Sequence, residues 1–348
     1  MPQVYGAVAV RWFDAHLDLA AIAANGRDMH AADPAVCPKP WPPGSVTLSS
    51  LRDGGVGACL ATIFCETGGV DDATAYPSGD ADAAAARGRE QLEIYERWRR
   101  DGNIAITGRD SAGPTAPLRV GILIEGADPV ASPGELAWWK ERGVVAMGLT
   151  WARSSRYAGG NLDKHGLTPE GRAMVKAADA LGVVHDASHL SDAALEDLFG
   201  ATDRPVIATH SNCRALLDEP GAVEPSQRHI TDAAIREIAR RGGVIGLNLF
   251  GKFLVPRAEA GRAATIDDAA AHVERVCELT GSVSHVGLGS DMDGGFSAND
   301  LPAGIRLPRD LERLATALRN RGWSDADTER FAWRNWARVF PALAFDTV

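Results

Sequence analysis

The sequence is poor in cysteine, in long hydrophobic runs and in basic residues, and each shortage argues against a class of protein. Its five cysteines are an odd number without short paired spacing, which disfavours a disulfide framework or a cysteine-rich zinc cluster. No segment approaches the roughly 18 uninterrupted apolar residues of a membrane span. With 36 basic and 46 acidic side chains the formal net charge is −10, and no basic stripe for nucleic acid is visible.

Two recognisable signals are also missing. Residues 1–12 contain no basic stretch followed by an apolar one, so no secretory signal is visible and we expect a cytoplasmic protein that does not bind membranes. No G-x-G-x-x-G follows the first candidate strand and there is no P-loop, which weakens the case for a nucleotide-binding open sheet.

The composition, 45% hydrophobic and 24% charged over 348 residues, is typical of a folded globular protein. This length suits one large barrel or two domains of about half the size. Short β-rich runs alternate with longer runs of helical spacing. The strand candidates are Arg11–Asp18, Gly57–Cys65, Arg119–Glu125, Val144–Thr150, Gly182–Ala187, Pro205–Thr209, Gly243–Leu249 and His285–Asp291. The helix candidates include Ala81–Asp101, Ser132–Arg142, Pro169–Leu181, Ser191–Gly200, Thr231–Arg241 and Ile266–Thr280.

Eight strands with intervening helices indicate a closed parallel barrel or a large doubly wound sheet. Because the nucleotide motifs of the open sheet are missing, we predict an α/β fold, a (β/α)8 TIM barrel formed as a single domain over residues 1–348. Two longer loops, Cys37–Ser45 and Ser154–Thr168, are candidates for functional loops.

Several candidate strands end in side chains that bind metals, and in a barrel these ends lie on one rim. The first strand ends with His16 and Asp18, which point to the same face because side chains alternate along a strand. The others are Glu125 after the third strand, His189 after the fifth, His210 after the sixth and Asp291 after the eighth.

Imidazole and carboxylate groups are the ligands that zinc and similar divalent ions take. Taken singly, each residue has an ordinary explanation, such as a structural histidine or the turn chemistry of Asp293-Gly294. Five strands that end in such groups on one rim are not explained by packing. Together they exceed the needs of one tetrahedral ion and predict two ions about 3.5 Å apart.

At these residues the chain resembles the membrane (renal) dipeptidase family of metallopeptidases, one of the amidohydrolase-like metallo-dependent hydrolases. The His-x-Asp of His16 and Asp18 is informative, because most relatives in the wider superfamily have His-x-His there. The other shared motifs are Glu125, Asp186–His189, His210–Ser211, Gly287–Gly294 and the closing segment Trp333–Phe340.

The resemblance implies a role for each of these residues. One zinc would be bound by His16, Asp18 and Glu125, and the other by Glu125, His189 and His210, so that Glu125 bridges. Asp291 would handle the proton during attack by a hydroxide between the metals, or contact the substrate amino group. Arg228 would pair with a substrate carboxylate, which suits its planar fork, and His229 replaces the asparagine that the family has next to it.

The chain departs from the family after its fourth strand. There the family has a histidine that helps to polarise the scissile carbonyl, and this chain has Trp151. An indole donates one hydrogen bond but cannot become cationic, and loss of such a donor typically costs about 10²–10³ in rate. Trp151 is therefore a candidate substrate contact, with Arg153, Arg156 and Tyr157 as replacement donors.

Three functions follow from these observations. The first is a zinc-dependent dipeptidase that hydrolyses the amide bond of dipeptides or dipeptide-like compounds, with Asp291 and Glu125 as catalytic residues. The second uses the same metal site on a non-peptide amide, ester or lactone, because Trp151 replaces the family histidine. The third is a metal-binding barrel without catalysis.

The expected cofactors are two divalent metal ions, with zinc as the default for mixed histidine and carboxylate ligands and manganese, iron or cobalt as alternatives. The expected partner is a small, dipeptide-like substrate, with neither nucleic acid nor membrane. A homodimer is compatible with the resemblance, but the sequence does not establish one.

Overall fold

A computed structural model describes residues 10–68, 73–110, 117–218 and 226–345 of the protein. The strands are β1 (Trp12–Leu17), β2 (Val56–Phe64), β3 (Glu66–Thr67), β4 (Ala75–Tyr76), β5 (Ile104–Ile106), β6 (Leu118–Glu125), β7 (Val144–Gly148), β8 (Val184–Asp186), β9 (Val206–Ile207), β10 (Ile245–Leu247) and β11 (Val286–Leu288). The α-helices are α1 (Leu19–Ala24), α2 (Leu48–Asp53), α3 (Ala81–Arg100), α4 (Leu136–Lys140), α5 (Pro169–Leu181), α6 (Asp192–Ala201), α7 (Asp232–Arg240), α8 (Ile266–Thr280), α9 (Leu311–Asn320), α10 (Asp325–Glu329) and α11 (Asn335–Val339). Within the described ranges, no helix is both long and apolar enough to cross a membrane.

Eight of the strands form one ring of parallel strands, in the order β10-β11-β1-β2-β6-β7-β8-β9. Between the two ends of this path, Ala208 forms a parallel bridge with Ile245, and the N–H of Gly246 donates to the Ala208 carbonyl at 2.7 Å. The ring is therefore a nearly closed (β/α)8 barrel, which confirms the predicted fold class. Each of the eight predicted strands overlaps one strand of the ring, and most are shorter than predicted.

The elements outside this ring agree less well with the sequence-based prediction. β5 pairs only with the first part of β6, where Ile104 lies opposite Leu118, and β3 and β4 form a separate pair. The helix predicted over Ser132–Arg142 is shorter than expected, since it starts with a 3-10 turn at Pro133–Glu135 before α4. Proline and glycine at its start explain this, because neither favours a helix interior.

The helix boundaries follow local capping chemistry. At the start of α5 the Thr168 hydroxyl accepts a hydrogen bond from the Gly171 N–H at 3.0 Å. The helix ends at Gly182, whose φ of 64° is the left-handed conformation of a helix cap. Two helix-to-strand joints also have glycines of positive φ, 101° at Gly143 before β7 and 78° at Gly242 before β10.

The apolar core fills the space between the strands and the surrounding helices, and the C-terminal segment closes part of it. A π-helical turn at Arg330–Arg334 leads into α11. Trp336 of α11 is fully buried, and its indole N–H donates to the Leu288 carbonyl at 2.9 Å. A Cβ on Gly287 would lie 2.3 Å from the indole nitrogen, so only glycine lets the ring approach β11 this closely.

Candidate active site

Four strand ends of one rim bring the five predicted metal-binding residues together. His16 lies in β1 and Asp18 directly follows it, Glu125 is the last residue of β6, and His189 and His210 follow β8 and β9. All five side chains are buried. Because the strands are parallel, side chains from different parts of the chain meet at their carboxyl ends.

Glu125 lies at the centre of this group. Its Oε2 is 3.3 Å from His16 Nε2. Its Oε1 is 3.2 Å from His189 Nε2 and 3.4 Å from His210 Nε2. The two oxygens of one carboxylate therefore face two different groups of side chains, which is the arrangement of a carboxylate that bridges two cations.

The histidines are packed closely on one another. The Nε2 atoms of His189 and His210 lie 2.9 Å apart, and the rings of His16 and His210 stack with centroids 3.6 Å apart. His189 has φ of 68°, a left-handed conformation that is unusual for a residue other than glycine. Its Nδ1 lies 2.9 Å from the Asn161 side-chain oxygen, so Asn161 accepts from Nδ1–H and leaves Nε2 free to bind a cation.

Thr209 connects two of the histidines to a buried carboxylate. Its hydroxyl donates to Asp186 Oδ2 at 2.6 Å, and the same oxygen lies 2.9 Å from His210 Nδ1 and 3.3 Å from His16 Nδ1. Since its only proton goes to Asp186, Thr209 must act as an acceptor toward the imidazoles. This places protons on Nδ1 and keeps the Nε2 lone pairs available.

Asp18 and Asp291 complete the group on the side of β1. Asp18 accepts a hydrogen bond from the hydroxyl of Thr62 on β2. Asp291 follows β11 with φ of 60°, and its Oδ2 accepts from the side-chain amide of Asn248 at 2.8 Å. Its other oxygen is 4.0 Å from His16 Nε2. Asp291 is thus placed beside the metal-binding residues with one oxygen free of the amide.

Asp293 is more than the turn residue that its position before glycine indicated. It is fully buried and pairs with the guanidinium of Arg27. It also accepts from the backbone N–H groups of Ser45 at 2.9 Å and Val46 at 2.8 Å. The proline-rich loop Cys37–Ser45 is therefore anchored to the loop that carries Asp291.

In the protein alone, burial shifts the pKa of each of these groups in the direction that favours its neutral form. Burial raises the pKa of Glu125 to about 8 and of Asp291 to about 8, and that of Asp18 to about 6. Burial also lowers the pKa of His189 and His210 well below the usual value, with help from neighbouring cations. A bound metal ion would reverse this for the carboxylates, because its positive charge favours ionised carboxylates. It would also favour neutral imidazoles, since only these can bind it.

The residues fit such a cation by their chemistry and spacing. His16 Nε2 is buried and has no hydrogen-bond partner among the described residues. Donor atoms of His16, Glu125 and His210 lie within 4.8 Å of one another, and so do those of His16, Asp18 and Asp291. Imidazole nitrogens with carboxylate oxygens are the donor set of zinc and its first-row relatives.

A cavity of about 450 Å³ opens in front of this group. Asp18, Glu125, His189, His210 and Asp291 all line it. The cavity is of the size that small-molecule sites have in proteins. The side chains with metal-binding chemistry therefore face a space that a small substrate can fill.

Arg228 lines the same cavity. Its side chain is buried, and its guanidinium nitrogen Nη1 is 3.4 Å from the Ser211 hydroxyl oxygen. No carboxylate of the described residues forms an ion pair with it. Burial lowers the pKa of Arg228, although the guanidinium still remains charged at neutral pH. Asp291, Glu125 and Asp186 act on this charge from a distance. A buried guanidinium without a direct ion pair among the described residues is suited to bind a carboxylate that arrives with a ligand.

Trp151 also lines the cavity, and it lies in the loop that follows β7. Its ring lies 5.7 Å from that of His189 and meets Phe64 edge-on at 5.2 Å. The position where a histidine was expected from the resemblance is thus next to the metal-binding residues, and the indole occupies it.

The other proposed donors lie elsewhere. Tyr157 is buried, does not line the cavity, and donates its hydroxyl to the Val130 carbonyl. Arg156 pairs with Asp128 at 3.3 Å, and Arg153 does not line the cavity either. The structure therefore places none of these three residues at the cavity. Tyr157 and Arg156 contact neighbouring parts of the chain instead.

Several residues of the site were not predicted from the sequence. Thr209 and Asn248 stand beside strand ends, which is a signal, but a hydroxyl or an amide there has no metal-binding chemistry of its own. Asn161 lies in the Ser154–Thr168 loop that was predicted to be functional. The phenylalanines of the cavity gave no signal, since aromatic residues in loops most often serve packing.

Comparison with known proteins identifies a family. The family model of the membrane dipeptidases, peptidase family M19, matches residues 7–346. An uncharacterized dipeptidase of Schizosaccharomyces pombe is 26% identical over 312 residues, which are 86% of this chain and 73% of that protein. An uncharacterized protein of Klebsiella pneumoniae, from the pqqA 5′ region, is 31% identical over 225 residues, which are 62% of this chain and 79% of that protein.

A solved structure with a similar fold is a metallopeptidase from Rhodobacter sphaeroides liganded with a phosphinate mimic of the dipeptide L-Ala-D-Ala. It superposes with a TM-score of 0.79 at 21% sequence identity, and the match covers 97% of this chain and 100% of that one. At this identity the likeness concerns the fold.

Proposed function

Since the chain belongs to the membrane dipeptidase family and is a metal-dependent, dipeptidase-like hydrolase, we propose that it cleaves the amide bond of dipeptides or dipeptide-like compounds at a two-metal site. The observation that carries this proposal is the position of Glu125. One of its oxygens faces His16 and the other faces His189 and His210, at 3.2–3.4 Å.

The proposed ligands divide between two cations. His16, Asp18 and Glu125 would hold one, and Glu125, His189 and His210 the other, with zinc as the first candidate. When bound, two such ions lower the pKa of a water nucleophile and polarise the substrate carbonyl. Thr209 and Asn161 orient the imidazoles, so that Nε2 rather than Nδ1 faces the cations.

Asp291 is proposed to move the proton. Its Oδ2 is held by Asn248 at 2.8 Å, while the whole side chain lines the cavity beside the metal-binding residues. From this place it takes a proton from the attacking water and donates it to the amine that leaves. A contact with the substrate amino group is the second role that this position allows.

Arg228 is proposed to orient the substrate. Its guanidinium is buried in the cavity wall without an ion-pair partner among the described residues, so a substrate carboxylate would supply the missing charge. A free carboxylate on one side and the scissile bond at the metals on the other define a short substrate, as a dipeptide is. The cavity of about 450 Å³ fits this size.

Trp151 favours a second candidate function, hydrolysis of a non-peptide amide, an ester or a lactone. Its indole lies against His189, where it cannot supply the positive charge of the family histidine. Less reactive peptide bonds would suffer most from this loss, because they need more stabilisation of the developing oxyanion.

One experiment separates the two candidates. The zinc-loaded protein is incubated with a mixed dipeptide library that includes D-residues at the C-terminal position, alongside a panel of esters and lactones, with a chelated sample as control. Metal-dependent cleavage of dipeptides supports the first function. A protein that holds two metals and cleaves only the esters or lactones contradicts it and supports the second.

A further inference from the structure

One side of the cavity is built from aromatic rings rather than from polar groups. Phe250 stacks on Phe296 with centroids 4.5 Å apart and an angle of 18° between the rings. Phe253 meets Phe250 edge-on at 4.8 Å. All three line the cavity, and we call this surface the phenylalanine wall.

The wall adjoins the residue proposed to bind the substrate carboxylate. The guanidinium carbon of Arg228 lies 5.2 Å from the centroid of the Phe253 ring. In an amino acid the carboxylate and the side chain are attached to the same Cα. A carboxylate on Arg228 therefore brings the side chain of that residue within reach of the wall.

We propose that the phenylalanine wall selects substrates whose carboxylate-bearing residue has a large apolar side chain, aromatic or branched aliphatic. This inference rests on the proposed function, because it takes the orientation of the substrate from Arg228. A large apolar side chain would cover ring surface that otherwise faces water.

A charged side chain would be disfavoured at the wall, since it would lose hydration without gaining a partner. Lys252, whose ammonium lies 5.7 Å from the Phe250 ring, is exposed and does not line the cavity. It is thus not placed to neutralise an acidic side chain inside. Small side chains would fit but would leave the rings uncovered.

The first test measures kcat/KM for a series of alanyl dipeptides that end in phenylalanine, leucine, alanine, aspartate or lysine. We expect the phenylalanine and leucine substrates to be preferred over the alanine one by about 10–100-fold. Phe296→Ala should lower the ratio of phenylalanine to alanine substrate about tenfold. The matched control is Phe199→Ala on α6, where the ring lies under Arg241 outside the cavity and the ratio should not change. If Phe296→Ala does not fold, Phe250→Leu is measured in the same way.

The second test measures binding instead of turnover. Calorimetry on the metal-loaded protein compares two inert phosphinate pseudo-dipeptides that carry a benzyl or a methyl group next to the carboxylate. Tighter binding of the benzyl compound without cleavage of any dipeptide would support selection by the phenylalanine wall and refute the proposed function. Equal kcat/KM over the series would refute selection by the phenylalanine wall and leave the proposed function intact. The same conclusion would follow if Phe296→Ala left the ratio of phenylalanine to alanine substrate unchanged.

Discussion

The proposed metal centre and the phenylalanine wall face the same cavity but are built in opposite ways. The proposed metal-binding residues stand at the ends of strands, and the hydrogen bonds that they donate to neighbours such as Thr209 and Asn161 orient them. The wall comes from the loops after β10 and β11, and its side chains contact one another through their rings, as between Phe250 and Phe296.

Because of this difference, we expect the two regions to control different properties, the catalytic chemistry in one case and the substrate preference in the other. A hydrogen-bonded polar group has one correct geometry, and a strand of the barrel supplies a rigid base for it. Apolar rings tolerate replacement by other apolar groups of similar volume. Changes in the metal centre should therefore alter metal binding or the catalytic rate, while changes in the wall should alter only which substrate is preferred.

Glu125→Gln should break the metal centre most completely. The neutral amide removes the negative charge that both groups of histidines face, so metal content should fall and turnover should not exceed that of a chelated sample. Metal analysis by mass spectrometry with a dipeptide assay checks this. Glu93→Gln, at an exposed glutamate of α3, is the control. A variant that retains both metals and activity would refute the bridging role.

Asp291→Asn should separate catalysis from metal binding. An asparagine keeps the size and the contact with Asn248 but cannot accept a proton, so kcat should fall by about 10²–10⁴-fold while metal content stays unchanged. Full activity in this variant would remove Asp291 from the mechanism. Loss of metal together with activity would instead make it a ligand.

Arg228→Met should affect substrate binding, because Arg228 lines the cavity between the two regions. The variant loses a charge-assisted hydrogen bond to the substrate, so KM for free dipeptides should rise by about 10–100-fold. Dipeptides with an amidated C-terminus should be affected much less. An equal effect on both substrate types would show that Arg228 does not bind the carboxylate.

Thr209→Val should weaken metal binding without removing a ligand. Valine has nearly the same shape, but it leaves Nδ1 of His210 and of His16 without their acceptor, so metal affinity should fall by about 10–100-fold. Competition with a chelator of known affinity measures this. Thr328→Val, at a buried threonine of α10 remote from the rim, is the matched control. Unchanged affinity would show that the hydroxyl does not orient the ligands.

The smallest expected effect is on the stability of the metal-free protein. Folding raises the pKa of Glu125 and of Asp291 to about 8, so between about pH 7 and 8 these two groups bind more protons in the folded state than in the unfolded one. The free energy of unfolding should then decrease with rising pH, by up to about 1.4 kcal/mol per unit for each group. Buried histidines whose pKa is lowered act in the opposite direction near and below the ordinary histidine value of about 6.5, so the decrease is expected above about pH 7. These histidines are His185, His189, His210, His229 and His272.

Urea titrations of the chelated protein at the two pH values test this prediction. The metal-loaded protein should not show the decrease, because bound cations keep the carboxylates ionised. Stability of the chelated protein that rises over the same interval would contradict it.

The same contrast explains how much could be predicted from the sequence. Strand ends of a barrel converge whatever the loops do, so residues such as His16 and Glu125 could be placed together from their order alone. Loop residues have no such rule. Tyr157 lies six residues after Trp151, yet it packs under Val130 instead of joining it at the cavity.

The phenylalanine wall was not predictable for a related reason. Phe250 and Phe296 are 46 positions apart in the sequence, and their stacking depends on how two loops meet over the rim. A periodic pattern marks which face of a strand or helix is buried, but it carries no information about such a meeting. The short α4 shows a different limit, since its start follows the local preferences of Pro133 and Gly134 and not the predicted helical spacing.

The buried pair of Arg27 and Asp293 has a consequence for protein engineering. It joins the proline-rich loop Cys37–Ser45 to a residue that is two positions from Asp291. An exchange of the proline-rich loop between relatives that replaces one member of the pair would leave a charge buried alone, at a typical cost of about 3–5 kcal/mol. The proline-rich loop and the loop that carries Asp291 should therefore be transplanted as one cassette.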